Sequence, residues 1–133
     1  MGQIAPVGAD GANNGYTAIS AKFLALQKAA AGLLEEAEHL ALRMRVNADA
    51  ATAVSDLCAM AQADSRHVAT VAAVGTAFSR VVNGCTALMG AADAMHTAAG
   101  HLRTEHQTEY GGIHAAATAS RARQAAPGFY RQT

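Results

Sequence analysis

No proline interrupts the chain between Pro6 and Pro127, and this absence constrains the fold more than any other sequence feature. Proline inside a helix costs roughly 3 kcal/mol, so the intervening residues are free to form very long helices. A single helix over residues 16–122 would be about 160 Å long, which is far beyond ordinary helices. We therefore expect the chain to fold back once, near 62–66, where Asp64 or Ser65 is able to cap a second helix.

Apolar residues recur at heptad spacing in both halves. Position a is occupied by Tyr16 and every seventh residue to Cys58, and again by Val71 and every seventh residue to Ile113. Position d lies three residues after each a. A sustained a/d pattern is typical of a coiled coil. The predicted packing or oligomer seam comprises Phe23, Leu26, Leu33, Leu40, Met44, Asn47, Val71, Phe78, Val81, Leu88, Met95 and Leu102.

The fold class predicted from this pattern is all-α: a long antiparallel two-helix hairpin that assembles into a helical bundle. Alanine favours helices but brings little apolar area to a core, so we expect self-association to complete it. The predicted organisation is a flexible arm over 1–15, the hairpin over 16–123 and a flexible tail over 124–133. Gly111 and Gly112 are either close-packing residues or a hinge, and Asn14 or Thr17 is the expected cap of the first helix.

Charge and cysteine content exclude several classes of protein. Residues 1–64 carry a net charge of −3 and residues 65–133 carry +3, which favours pairing of the two halves and argues against a nucleic-acid-binding protein. Cys58 and Cys85 are expected to lie too far apart for a disulfide, as suits a cytoplasmic protein. No membrane span and no targeting segment are expected.

No motif for nucleotide binding or nucleophilic catalysis is present, and we expect neither an enzyme nor a bound cofactor. The most plausible metal ligands are Glu36, Glu38 and His39 with Asp93 and His96, because Glu-x-x-His pairs bind metals in carboxylate bundles. The heptad positions point most of these side chains outward. His96, His101 and His106 do not share a helix face, and His106 is expected to be a hydrogen-bonded seam residue.

Two further features concern specificity. Asn47 at a d position is either a polar residue that fixes register or a packing defect. The tail contains Pro127, Gly128, Phe129 and Tyr130, an aromatic pair on a basic segment. This segment is either a docking peptide for a protein partner or a frayed terminus.

The chain resembles the small helical conjugal transfer proteins of actinomycete plasmids and integrative elements. The resemblance lies in Tyr16-Thr17-Ala18-Ile19, in Met44-Arg45-Val46-Asn47-Ala48-Asp49, in a turn near Asp64 and in the closing Pro127-Gly128-Phe129-Tyr130. Tyr130 stands where the family would have a second Phe. The resemblance implies an accessory role without catalytic residues, distinct from the ATP-driven translocases of the same systems.

Three functional hypotheses follow. The first is a non-enzymatic, self-associating helical scaffold linked to plasmid transfer. The second is a type VII-like secreted helical hairpin. Such proteins usually have a Trp-x-Gly turn and a Tyr-x-x-x-Asp/Glu tail, whereas this chain lacks Trp and has His114 at the fourth position after Tyr110. The third is a metal-binding helical bundle.

Overall fold

Two long helices account for almost all of the chain that the structure describes. The structure is a computed structural model that describes residues 15–120. Helix α1 is Tyr16–Met60 and helix α2 is Ser65–Ala119. The helices pack against each other, and residues 15–120 contain no strand. The all-α helical hairpin predicted from the sequence is therefore confirmed. The predicted arm and tail fall almost entirely outside the described residues.

The two ends of α1 are set by backbone hydrogen bonds. At its start, the N–H of Ile19 donates to the carbonyl of Gly15 at 2.9 Å, which is the first hydrogen bond of the helix. The predicted cap Asn14 lies outside the described residues. At its end, the N–H of Gln62 donates to Ala59 and the N–H of Ala63 donates to Cys58. Gln62 has a φ of 57°, in the left-handed region. This pattern is a Schellman motif, which turns the chain without the usual glycine.

Helix α2 is capped by Asp64, as the sequence predicted. The backbone N–H of Arg66 donates to Oδ1 of Asp64 at 2.9 Å, and the N–H groups of His67 and Val68 donate to its carbonyl. The Arg66 guanidinium also lies 3.5 Å from Oδ2 of Asp64. A side-chain oxygen at this position satisfies an amide that has no partner within the helix.

Replacing Asp64 should lower stability in a pH-dependent way. Hydrogen bonds from the Arg66 backbone and then from its side chain hold the pKa of Asp64 below its ordinary value. Because the folded pKa is the lower one, the stabilisation is complete above the unfolded pKa of about 3.9. It disappears as the pH falls through the folded pKa.

We therefore expect Asp64→Ala to lower the melting temperature at neutral pH, and the difference from wild type to become smaller in acid, where the charge-dependent part of the cap is lost. Thermal unfolding followed by circular dichroism at several pH values measures this. Asp64→Asn keeps a capping oxygen without the titration and serves as the control. An Asp64→Ala deficit of the same size in acid as at neutral pH would contradict the assignment.

The described residues divide into two compact units. One unit is Ala30–Ala94, which contains the turn. Within it the helices run antiparallel and approach closely. The Ser55 hydroxyl donates to the carbonyl of Val68 at 3.2 Å, and a Cβ at Gly75 would lie 3.5 Å from Ala51 Cβ. The small residues of α1 and α2 thus form the contact in this unit.

The other unit contains residues 15–29 and 95–120 of the described chain. Here Nε2 of His106 lies 3.2 Å from the carbonyl oxygen of Tyr16, which pairs the start of α1 with the second half of α2. The side-chain amide of Gln27 covers Gly100, where a Cβ would lie only 2.7 Å from its nitrogen. Helix α2 continues unbroken through Gly111 and Gly112, so the hinge interpretation of this pair is wrong.

The residues buried between the helices correct the predicted seam. Nine residues of the described helices are buried, and all of them are small. Each occupies position a or position e, and position e lies four residues after a. They are Ala30, Ala37, Ala41, Ala51, Ser55, Gly75, Cys85, Ala92 and Ala99. The larger a residues Phe23, Met44, Val71 and Phe78 are half-buried. Position a therefore lies in the hairpin interface as predicted.

Position d does not lie in this interface. Leu26, Leu33, Val81, Leu88, Met95 and Leu102 are each 39–52% exposed, and Asn47 is exposed. The physical reason is size. Alanine, serine and glycine at a and e let the helix backbones approach closely, and a close approach leaves the large d side chains at the edge of the interface. No large side chain of the described residues is fully buried.

Opposite charge is not what pairs the helices. The excess of acid in the first half depends on Asp10 and Asp64, and the excess of base in the second half depends on Arg121, Arg123 and Arg131. Of these, only Asp64 lies in the described chain, and it is in the turn. The helices themselves are nearly balanced in formal charge. The main source of the association between α1 and α2 is therefore close packing of small side chains.

Candidate functional site

An exposed apolar surface is the most distinctive feature of the unit Ala30–Ala94. We call it the apolar face and define it by six d residues: Leu33, Leu40, Val54, Val74, Val81 and Leu88. Five of them are 39–47% exposed and Leu40 is half-buried. In an antiparallel pair whose a and e positions face inward, the d positions of both helices project on the same side. The d residues therefore form one continuous surface instead of two separate stripes.

An open depression in this unit supports that placement. It has a volume of about 340 Å³ and is lined by Leu33 and Leu40 from α1 together with Leu88 from α2. Ala37 is also part of its lining. Three d residues from two helices thus line one concavity, which is possible only if both sets of d residues share one side of the hairpin.

Small residues flank the apolar face on α2. Ala77, Gly84 and Ala91 lie three residues after Val74, Val81 and Leu88, on the neighbouring turn of the same helix side. No atom would lie within 4 Å of a Cβ added at Gly84. The surface therefore alternates large side chains with open spaces at the seven-residue period of knobs-into-holes packing.

Charged residues are mostly placed elsewhere. Five of the seven charged residues in 30–60 occupy positions b and f, on the opposite side of α1. They are Glu35, Glu38, Arg45, Asp49 and Asp56. The other two, Glu36 and Arg43, line the depression together with His39. The apolar face thus has a small, specific polar edge instead of a solvated charged surface.

In the other unit, three residues at the same heptad position are also exposed. Leu26 is 40% exposed, Met95 45% and Leu102 52%. Position d contains more of the large exposed apolar residues than any other heptad position, and such a concentration indicates an interaction surface.

The predicted metal ligands do not form a site. Within residues 15–120, no three His, Cys, Asp or Glu side chains lie close enough together to hold a metal ion. Glu36 and His39 line the depression beside Arg43, a cation. Asp93 and His96 are exposed. His39 instead lies 3.8 Å from Glu35 on the same helix.

Aromatic and histidine side chains cluster around Tyr16 in the unit that contains it. The Tyr16 ring stacks between His106 and His114, at centroid distances of 4.9 and 4.5 Å. Phe23 and Tyr110 contact His106 from the sides. His106 also bonds the Tyr16 carbonyl and is half-buried, so the prediction of a hydrogen-bonded seam histidine is confirmed. The cluster joins the two helices.

The remaining predicted features are placed as follows. Cys58 and Cys85 are both free thiols, and Cys85 is buried. Asn47 is exposed on the same helical position as the apolar face. Pro127, Gly128, Phe129 and Tyr130 lie outside the described residues.

Helix α2 also has the composition of a membrane-spanning helix. An 18-residue window within Ser65–Ala119 reaches a mean hydropathy of 1.2, and 11% of that window is buried. The core helices of soluble proteins meet the same criterion. The expectation of no membrane span therefore stays a prediction.

The sequence analysis considered Glu36 only as a metal ligand and did not place Glu36 or Arg43 at the edge of an apolar surface. The signal was available: Glu36 and Arg43 each follow a d leucine by three residues, whereas most other charges of α1 do not.

Comparison with known proteins finds no matching family model, no similar curated protein and no similar solved structure.

Proposed function

We propose that this protein is a non-enzymatic helical scaffold that works by self-association through its apolar face. The observation that supports this is the exposure of large d residues on one side of a hairpin whose buried residues are all small. Covering the remaining exposed part of each such side chain contributes on the order of 1 kcal/mol. Six side chains on each of two copies provide enough apolar contact to offset the cost of association.

A second copy is the partner that fits this surface best. The large side chains repeat every seven positions on both helices, and small residues lie beside them on α2. A second copy offers the same repeat of large side chains and spaces, so the surface is able to pack against itself. Homo-oligomers with two-fold symmetry are the commonest soluble assemblies and need only such a self-complementary surface. The product is a four-helix bundle, the assembly expected from the sequence.

Within the cell, we propose an accessory role in plasmid conjugal transfer in the cytoplasm. The support for this part is the resemblance in the Tyr16–Ile19 and Met44–Asp49 segments and in the turn near Asp64. A scaffold needs no catalytic site, and its partner-binding element is proposed to be the tail residues Phe129 and Tyr130.

Sedimentation equilibrium of the purified chain over a wide concentration range tests self-association. We expect a mass of at least twice 13.6 kDa at high concentration, and a melting temperature that rises with protein concentration, because association stabilises the folded state by mass action. A monomer whose melting temperature is independent of concentration would refute the proposal.

A second candidate function is favoured by the hydropathy of α2. The apolar face would then rest on a lipid bilayer instead of on another copy. Flotation with vesicles of neutral lipid separates the two: binding by a chain that stays monomeric in solution supports the membrane alternative. Failure to float, together with self-association, supports the scaffold.

A further inference from the structure

Resting on the proposed self-association, we propose that α1 pairs with α1 of the second copy in antiparallel orientation, about a two-fold axis level with His39 and Leu40. This arrangement pairs Glu36 of each copy with Arg43 of the other. The argument depends on charge, on the relative level of residues in the two helices and on side-chain size.

The charge argument begins with two side chains that share one surface. Glu36 and Arg43 are seven residues apart at the same heptad position, and both line the depression beside Leu33 and Leu40. Neither has an ion-pair partner among residues 15–120. Opposite charges on the edge of an apolar surface favour the partner orientation that pairs them.

An antiparallel pairing of the two α1 helices satisfies both charges. A two-fold axis midway between residues 39 and 40 places residue 36 of one copy level with residue 43 of the other. By symmetry the pair forms twice. Because position g lies on the same flank of both helices in this arrangement, the two side chains are on the same side of the interface.

The other two-fold arrangement places α1 of the second copy over α2 and creates a repulsion. Leu88 lines one depression with Leu33 and Leu40, and Gly75 approaches Ala48 and Ala51. Arg80 lies between Leu88 and Gly75 in sequence, so it is level with residues 43–46 of α1. Arg43 of the second copy would then lie near Arg80, while Glu36 would face Gly84 and Ala91 and have no cation.

Side-chain sizes agree with the antiparallel pairing. It places Leu33 level with Val46 of the second copy, which covers the 67% exposed valine. It also places Asn47 level with Gly32 of the second copy, and no atom would lie within 4 Å of a Cβ at Gly32. The polar Asn47 thus has open space beside it at Gly32, next to Leu33 of the second copy.

Charge reversal with full-length protein tests the arrangement. We expect Glu36→Arg and Arg43→Glu each to weaken the dimer about tenfold, because each exchanges two attractive contacts for two repulsive ones. The double variant Glu36→Arg/Arg43→Glu should restore an affinity close to wild type, since it swaps the charges across both pairs. Sedimentation velocity at low salt gives the dissociation constants.

Glu38→Arg is the matched control, because it makes the same charge change on the same helix but at position b, on the opposite side of α1. It should leave the dissociation constant unchanged. If the three Glu36 and Arg43 variants dimerise as Glu38→Arg does, the proposed orientation is wrong although self-association stands. If the wild-type chain is monomeric throughout, both the orientation and the scaffold function are refuted.

Discussion

Replacing Ala41 with leucine is expected to destabilise the hairpin by about 1–3 kcal/mol. Ala41 is 1% exposed and lies at position e of α1, in the contact with α2. A leucine there adds three carbon atoms to a space that the close approach of the helices does not provide. The helices must separate or the side chain must adopt a strained rotamer, and both cost free energy.

Ala31→Leu is the matched control, because Ala31 is an exposed alanine at position b of the same helix. Both substitutions change helix propensity equally, so the difference between them measures packing alone. Urea unfolding followed by circular dichroism gives the two free energies. Equal stability of the two variants would contradict the inward placement of Ala41 and favour an a/d interface.

The second large effect is expected on self-association. Replacing Leu33 and Leu88 together with glutamine should weaken the dimer at least a hundredfold, roughly 2.7 kcal/mol. Each copy loses two apolar contacts and buries two polar side chains in their place. Both leucines are about 40% exposed in the hairpin, so the helices themselves should remain folded. Sedimentation equilibrium measures the loss, and circular dichroism confirms retained helix.

Leu42→Gln provides the control for this variant. Leu42 is 50% exposed, more than Leu33, yet it lies at position f on the side away from the apolar face. General loss of surface hydrophobicity would weaken association in both variants. Loss confined to the Leu33 and Leu88 variant would identify the apolar face as the interface, and equal losses would count against it.

Much of the fold could be predicted from the sequence because its determinants are local. The lack of proline between Pro6 and Pro127 permitted long helices, and Asp64 marked the start of the second one by its ability to accept an amide hydrogen bond. Position a was placed in the interface by the sequence because it belongs both to an interface of a and d residues and to one of a and e residues.

The assignment of position d failed because the spacing of residues is ambiguous. A stripe of a and d residues and a stripe of a and e residues both alternate steps of three and four, so periodicity does not distinguish them. Side-chain size does: Ala41, Ala48 and Ser55 at e allow closer approach than Leu33 and Leu40 at d. The prediction chose the larger residues, so it paired position a with position d, whereas the structure pairs position a with position e.

The candidate site could not be predicted from the sequence for the same reason. The leucines at d were predicted as a packing or oligomer seam without a choice between the two, so Glu36 and Arg43 had no defined apolar edge to belong to. The site depends on how near the two helices lie, which is a property of tertiary packing. Residue spacing along one helix does not contain that information.

The contact between Tyr16 and His106 joins residues 90 positions apart in the chain. Bringing such distant residues together is entropically costly until shorter-range contacts have formed. Pairing that begins at the Gln62–Asp64 turn closes the shortest loop of chain. Each contact then shortens the loop that the next contact must close, so pairing can proceed outward from the turn. The stacking of Tyr16 on His106 and His114 is accordingly among the last contacts to form when the chain folds.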